Sequence, residues 1–374
     1  MRLAIILTVL FAALTTAHAG TSASAPGHQA RNGCLRPRSP ASTVAEPSGV
    51  GIGIVLDEHL LTDGSRDQDY NGGGEMTLSG ERAGPLGRAL DRALGILDRE
   101  ACRGARFAGG PWRVTHAFAA GLLVFTPRDL NAHGPVPGDR PYASLFFLSA
   151  GRRYASPDAD IVYDSSFTVG MLGLAAAGAV QRALHHLTGS VQPQGWSHQI
   201  SAGGEPTARY NLARQALLAR YGLGPWRGDG KWTAAVSAGT VTEASVALAT
   251  RFGRIESPWW AFTPEQDMYV QETQPTPPPL PERSPAELFA FAGVRVKLRA
   301  YNAFLQGQFR HSDLRYGEGD LNQVLAEAWA GLEYRTAAGW AIQYLARWES
   351  PELRSGAGSR SILWGSIEIA KSFR

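Results

Sequence analysis

Long stretches in which apolar and polar residues alternate constrain this chain's fold more than any other feature. Between 340 and 349 every second residue is apolar, with aromatic rings at both ends: Trp340, Ile342, Tyr344, Ala346 and Trp348. Polar residues such as Arg347 and Glu349 stand between them. A period of two indicates β-strands, and an apolar face with aromatic ends opposite a charged face is typical of strands that cross a membrane. A secreted β-sandwich, which also alternates, is the alternative.

The first residues predict export from the cytoplasm. Residues 1–19 combine Arg2, an apolar stretch and the small-x-small sequence Ala17-His18-Ala19, which is the pattern of a cleaved signal peptide. After this segment, no apolar stretch reaches the roughly 18 residues that a membrane-spanning helix needs. Because only helices and closed barrels satisfy their backbone in lipid, an outer-membrane barrel is the membrane architecture that remains.

We therefore predict an all-β fold, a twelve-stranded antiparallel transmembrane β-barrel over 50–374, preceded by a periplasmic segment at 20–49. The predicted strands are 51–60, 72–82, 113–126, 141–154, 161–174, 207–221, 231–241, 244–253, 286–298, 324–335, 340–349 and 361–373. An even strand count puts both termini in the periplasm. The connections 61–71, 127–140 and 175–206 then lie outside the cell, and 83–112 and 255–285 lie on the periplasmic side.

Net charge and cysteine content limit the possible partners and cross-links of the chain. The net charge of +3 and the absence of a run of basic residues argue against a nucleic-acid partner. The predicted topology places both cysteines, Cys34 and Cys102, on the periplasmic side, where an oxidising environment favours a disulfide between them. Two unpaired thiols are the alternative, since sequence does not give their separation.

An acidic patch is predicted at the outer rim. Asp57 and Glu58 end the first strand, and the second strand follows the acidic, glycine-rich segment 67–73. Carboxylate oxygens of this kind suit calcium. The patch taken alone is equally the composition of a solvated hairpin loop.

The third outer connection carries a short helical pattern at 178–187. Gln181 and His185 stand four residues apart and so share one helix face. A neutral histidine held by a polar neighbour can act as a general base near neutral pH. An ordinary surface or packing role is the alternative, and the adjacent His186 leaves the choice open on these residues alone.

Several motifs together resemble one known family, the lipid A 3'-O-deacylases of the Gram-negative outer membrane. They extend along nearly the whole predicted barrel: Asp-x-Asp-Tyr-x-x-Gly at 67–73, Phe125-Thr126-Pro127, Gly138-Asp139-Arg140-Pro141-Tyr142-Ala143, Gln181-x-x-x-His185, Gly195-Trp196, Glu205-Pro206, and Phe291-Ala292-Gly293-Val294 continuing to Tyr301-Asn302. The Asp-Arg-Pro-Tyr-Ala block and the Gln-His pair with its downstream Gly-Trp are the most specific.

The resemblance implies a barrel that uses calcium to remove the 3'-linked acyloxyacyl chain of lipid A, a component of lipopolysaccharide, in the outer leaflet. His185 would activate water and Gln181 would orient the site, while the metal would polarise the ester. The family's asparagine–aspartate pair appears here as Asp57 and Glu58, the implied metal ligands, and its threonine appears as Asn71, the third implied catalytic residue.

Two further family positions lack their charged side chains. By spacing, the family's lysine is Ala132 and its glutamate is Val191. Arg128 and Arg140 lie in the same outer connection as Ala132 and are the candidates to bind an anionic lipid phosphate, on charge alone.

The residues leave more than one hypothesis about function. The first is a calcium-dependent lipid A esterase, and the second is a catalytically inactive family barrel with a structural or lipid-binding role. A pore is a third idea. Interior charges, which include Arg295, Lys297, Glu333 and Arg335, would instead pair and plug the lumen, and twelve strands enclose less space than the 16 to 18 strands of porins.

Overall fold

The structure, a computed structural model, describes residues 50–58, 61–62, 68–103, 113–155, 160–269, 275 and 285–373. The predicted signal peptide and the periplasmic segment 20–49 lie outside these residues. So does Cys34, and only the backbone of Cys102 is described, so their disulfide stays a prediction.

Twelve antiparallel strands form a closed barrel in which each strand pairs with its neighbours in sequence and the first pairs with the last. They are β1 Gly51–Glu58, β2 Asp69–Ser79, β3 Arg113–Thr126, β4 Ala143–Ala155, β5 Ile161–Leu172, β6 Glu205–Leu223, β7 Trp226–Gly239, β8 Val241–Arg254, β9 Glu287–Asn302, β10 Val324–Arg335, β11 Trp340–Glu349 and β12 Ile362–Ser372. The predicted fold and strand count are confirmed. The main difference in strand length is at β6 and β7. These strands continue to a tight turn at Gly224 (φ 58°), where the sequence predicts a longer connection.

The alternation that predicted the barrel separates its two faces. In β1, Val55 is buried, whereas its neighbours Ile54 and Leu56 are 44% and 56% exposed on the outer wall. Near the periplasmic end, Tyr221 and Trp226 each stack on Phe252, with ring centroids 6.1 and 6.2 Å apart. Apolar side chains with an aromatic border are what a membrane-facing wall presents.

A segment of the β8–β9 connection, residues 255–269, turns into the lumen. Arg295 donates to the backbone carbonyls of Glu265 and Asp267 at 2.7 and 2.9 Å, and Arg347 donates to that of Pro264 at 2.7 Å. This segment therefore occupies part of the lumen, whereas the sequence predicts only that the connection lies on the periplasmic side.

Interior charges pair as predicted. Arg295 and Lys297 both bind Glu327 at 2.6 Å, and Arg335 binds Glu287 at 2.9 Å. Buried charges are retained only when they are paired, and this network satisfies them while it fills the barrel.

In the part of the chain that the structure describes, four α-helices accompany the strands: α1 Ala83–Leu86, α2 Arg88–Arg103, α3 Ala175–Thr188 and α4 Ala303–Gln306. None of the helices in the described residues is long and apolar enough to cross a membrane. α3 confirms the helical pattern that the sequence showed in the third outer connection.

Helix α2 lies against the outer wall of the barrel. Asp91 accepts two hydrogen bonds from Arg152 (2.7 and 2.8 Å), and Asp98 accepts from the hydroxyls of Tyr154 (2.7 Å) and Tyr210 (3.0 Å). Arg152 and Tyr154 face outward, because Arg153 between them faces the lumen and pairs with Asp164. The sequence predicted only a periplasmic connection here; the helix instead covers a row of outward polar side chains.

Candidate active site

The site is built where α3 packs on the outer wall at the extracellular end of the barrel. The buried core beneath the helix consists of Leu130, Tyr142, Ala177 and Trp196, with outward side chains of β3 and β4 packed against it. Glycine permits the close approach: a Cβ at Gly178 would lie 2.7 Å from the Trp196 ring. Gly189, in the left-handed conformation (φ 73°), ends α3.

Gln181 lies on the buried face of α3, with only 4% of its surface exposed. Its Oε1 accepts a hydrogen bond from Trp196 Nε1 at 2.7 Å. This contact fixes which end of the amide is oxygen, so the Nε2 donor points the other way. Within the described residues that buried Nε2 has no hydrogen-bond partner. A buried amide donor held in place without an acceptor is suited to an oxygen that becomes negative during a reaction.

His185, one turn further along α3, is also buried, at 7% exposure. Its Nδ1 lies 2.5 Å from the backbone carbonyl oxygen of Val191. A carbonyl only accepts, so in the neutral ring Nδ1 carries the proton and Nε2 is left as the basic nitrogen. Val191 is the position where the resemblance implies a glutamate, and here its backbone carbonyl takes the contact with His185. His186, the alternative histidine, is exposed.

The two acidic residues that end β1 diverge. Asp57 is buried at 3% exposure and accepts hydrogen bonds from Tyr70 (3.0 Å) and Ser366 inside the barrel. Glu58, the next residue of the strand, faces the outer wall, because successive strand side chains alternate. The two carboxylates therefore lie on opposite faces of the wall in this structure, and their calcium-binding roles stay predictions.

Asn71 lies beside a β-bulge in β2, where the pairing with β3 shifts between Tyr70 and Gly72. Its side-chain amide donates to Thr126 Oγ1 at 3.1 Å. Thr126 follows Phe125, which faces the lumen, so the contact places Asn71 on the outer side of the wall, at the same end of the barrel as α3. Among the described residues, no group of three or more His, Cys, Asp or Glu side chains forms a metal-binding cluster.

The two predicted phosphate-binding arginines differ in their exposure and in their contacts. Arg128 is exposed, and its backbone amide donates to Asp139 at 2.9 Å. Arg140 is 3% exposed, pairs with Glu352 and lies 4.2 Å from the centre of the Phe125 ring. Burial lowers the pKa of Arg140, but Glu352, Tyr269 and Asp69 together outweigh burial, and the net effect raises the pKa. The charge of Arg140 is thus paired with a carboxylate inside the barrel, and its lipid-binding role stays a prediction.

Sequence reasoning gave no role to Trp196 or Tyr142, although both belong to the motifs that carried the resemblance. Their rings pack together, with centroids 5.0 Å apart, beneath α3. The signal available in the sequence was Trp196 itself, because a buried indole N–H needs a hydrogen-bond acceptor. Ala132 contributes backbone here: its carbonyl lies 3.1 Å from where a Cβ at Gly195 would be.

The fold and the site define a barrel enzyme candidate whose polar side chains open to the membrane-facing wall rather than to the lumen. A family model described as "Outer membrane protein LpxR" matches residues 7–373, and the chain belongs to that family. This confirms the resemblance to the outer-membrane lipid A deacylases and the expected location in the outer membrane.

Among solved structures, "LpxR from Salmonella typhimurium" aligns with a TM-score of 0.65 at 13% identity, over 86% of this chain and 99% of that one. The β domain of the Bordetella autotransporter BrkA aligns with a TM-score of 0.43 at 9% identity, over 87% and 100% of the two chains. No curated protein matches the sequence. At this identity the Salmonella structure supports the fold alone.

Proposed function

We propose that this barrel is a lipid A deacylase that hydrolyses the ester of the 3'-linked acyloxyacyl chain in the outer leaflet. The observation that carries the proposal is the pair on the buried face of α3: His185 with its Nε2 left basic by the Val191 carbonyl, and Gln181 with an unused Nε2 donor. Family membership supports the same chemistry. The pair lies on the outer wall at the extracellular end, where the lipid A ester is found.

The proposed reaction is ester hydrolysis by water. His185 Nε2 removes a proton from water while the oxygen attacks the acyl carbonyl carbon, and Gln181 Nε2 donates a hydrogen bond to the resulting oxyanion. When the intermediate collapses, the bond to the sugar oxygen breaks and the histidine returns the proton to that oxygen. The products are a free fatty acid and the sugar hydroxyl, and no serine nucleophile is needed.

Calcium dependence is part of the proposal. On the described wall, Glu58 offers a carboxylate and Asn71 an amide oxygen, which are hard ligands of the kind calcium prefers. Asp67, which lies outside the described residues, is a third candidate by sequence alone. These donors fit calcium in kind. When bound, the ion would polarise the ester carbonyl.

A catalytically inactive barrel is the second candidate. The inward position of Asp57, and the lack of charged side chains at Ala132 and Val191, are the observations that favour it. Such a protein would bind lipid A on the same wall without cleaving it.

Mass spectrometry of lipid A from a host that expresses the barrel separates the two candidates. We expect the wild type to release the 3'-linked chain in the presence of calcium and to stop when calcium is chelated. His185→Ala should leave lipid A intact, whereas the exposed neighbour His186→Ala should behave as wild type. Unchanged lipid A from a well-assembled wild-type barrel would reject the deacylase in favour of the inactive barrel.

A further inference from the structure

A large groove lies on the outer wall next to the candidate active site. It has a volume of about 1520 Å³, and its floor includes the outward side chains Phe146, Leu148, Val169 and Met171 of β4 and β5. Leu148 and Met171 are 46% and 36% exposed. These residues belong to the extracellular half of their strands, so the groove opens into the outer leaflet.

The connection after β9 covers the groove, and hydrogen bonds hold it to neighbouring parts of the barrel. Glu205 Oε1 accepts hydrogen bonds from the backbone amides of Phe309 (2.7 Å) and Arg310 (3.1 Å), and Gln308 Nε2 donates to the Pro206 carbonyl at 3.3 Å. Further along, the Tyr316 hydroxyl donates to the Asp139 carbonyl at 2.6 Å. Contacts at both ends hold this connection over the wall, so the groove is a preformed concavity.

Charge at the groove is confined to its polar edge. Arg315 lines the groove and is exposed, and within the described chain its side chain makes no hydrogen bond or ion pair. By contrast, Arg140 and Arg360, in two other extracellular connections, pair with carboxylates. An unpaired guanidinium at the edge of an apolar groove is complementary to an anionic amphiphile.

The groove and the candidate active site share a side chain. Phe146 packs against the cluster beneath α3 that contains Trp196 and Tyr142, and it also forms part of the groove floor. A molecule that extends from the groove to the candidate active site therefore contacts one continuous surface of the outer wall.

We infer that this groove binds the acyl chains of lipid A that are not being cleaved, with Arg315 binding one of its phosphates. The inference rests on the proposed function for the identity of the lipid. It makes the groove a specificity-determining subsite: an anionic, multiply acylated glycolipid fills it, whereas a two-chain phospholipid leaves much of it empty.

The test measures binding rather than cleavage, with the full chain carrying His185→Ala in detergent micelles and native mass spectrometry as the readout. Val169→Trp fills the floor, and Arg315→Gln removes the charge. Each should weaken binding of hexa-acylated lipid A about tenfold, since a charge-assisted phosphate contact and a filled apolar site are each worth about 1.4 kcal/mol or more. The matched controls are Val294→Trp, on the exposed outer face of β9, and Arg227→Gln, at the exposed β6–β7 turn.

Binding of lipid A by the groove variants that equals binding by the controls would overturn the inference. So would binding of phosphatidylglycerol that is as tight as that of lipid A. The proposed function fails separately: a wild type that leaves lipid A uncleaved, yet binds it in a way that depends on Val169 and Arg315, refutes the deacylase and retains the groove.

Discussion

At the scale of single residues, the site depends on two side chains whose orientation is set by neutral hydrogen bonds. The Val191 carbonyl selects the tautomer of His185, and the Trp196 indole selects the rotamer of Gln181. Neither contact introduces a charge. The arrangement differs from the one that the resemblance implies, in which a carboxylate and a lysine stand at positions 191 and 132.

Gln181 and Trp196 can be tested as donor and positioning residue. Gln181→Ala removes the proposed oxyanion donor and should lower kcat about 100-fold with little change in KM, because the hydrogen bond strengthens in the transition state. Trp196→Phe keeps the ring and removes only the contact that orients Gln181, so we expect a smaller loss, about tenfold, again in kcat. Steady-state kinetics on lipid A micelles separate the two constants. Equal kcat for Gln181→Ala and wild type would remove Gln181 from the mechanism.

The Arg140–Glu352 pair predicts a pH dependence of stability. Burial alone would raise the pKa of Glu352, but Arg140 and Arg299 outweigh burial and lower it below the ordinary value of 4.5. The pair therefore stabilises the barrel fully above pH 4.5, and the stabilisation is lost as pH falls through the folded-state pKa.

Glu352→Gln should destabilise the barrel by about 3 kcal/mol at pH 7, since it leaves two buried arginines short of a partner. The difference from wild type should shrink as the pH falls below 4.5. The midpoint of thermal unfolding, read from the shift in gel mobility of folded barrel, gives the measurement, with the exposed Glu256→Gln as control. A difference that does not change with pH would show that the carboxylate charge is not responsible.

The sequence predicts part of the candidate active site. Gln181 and His185 were predicted to share a face because their spacing on a helix requires it. Asp57 and Glu58 were grouped by their acidity, although adjacent strand residues point to opposite faces. The role of Arg140 was out of reach of sequence, because its partner Glu352 is 212 residues away.

Among the structural elements, the strands were predictable because each has one lipid-facing side. That side appears in the sequence as an apolar residue at every second position. Helix α2 was missed for the opposite reason. Its buried face includes Asp91 and Asp98, and their partners on the wall are polar residues such as Arg152 that interrupt the outward apolar pattern. Because α2 contacts the barrel through polar side chains, the strand that it covers lacks the regular outward apolar alternation.

Docking of α2 should depend on Asp98, which accepts from Tyr154, Tyr210 and Ser165. Asp98→Ala leaves these hydroxyls without their shared acceptor, at a cost of about 2 kcal/mol. We expect the helix to detach more often and trypsin to cleave faster within α2. Mass spectrometry of the fragments from folded barrel gives the rate, and the exposed Glu81→Ala is the control. Cleavage at the wild-type rate would mean that the Asp91–Arg152 contact and apolar packing hold α2 without Asp98.

At the scale of the whole molecule, the two faces of the barrel have separate roles. The lumen holds paired charges and the 255–269 segment, while the outer wall holds the candidate active site and the groove. Chemistry on the outer wall requires no passage through the barrel.

Planar-bilayer recordings test the closed lumen. The wild-type barrel should carry no steady current, because the 255–269 segment and its arginine contacts fill the interior. Deletion of 258–267 should produce a conductance, provided that gel mobility shows the barrel still assembles. Steady conductance in the wild type would contradict a filled lumen and favour the pore.

We propose that water, activated by His185, cleaves the acyl–oxygen bond of lipid A on the outer wall. The most direct measurement incubates purified barrel with lipid A in ¹⁸O-labelled water and analyses both products by mass spectrometry. We expect one ¹⁸O atom in the released fatty acid, none in the sugar product, and no release by His185→Ala. Label in the sugar hydroxyl, or equal release by His185→Ala, would contradict it.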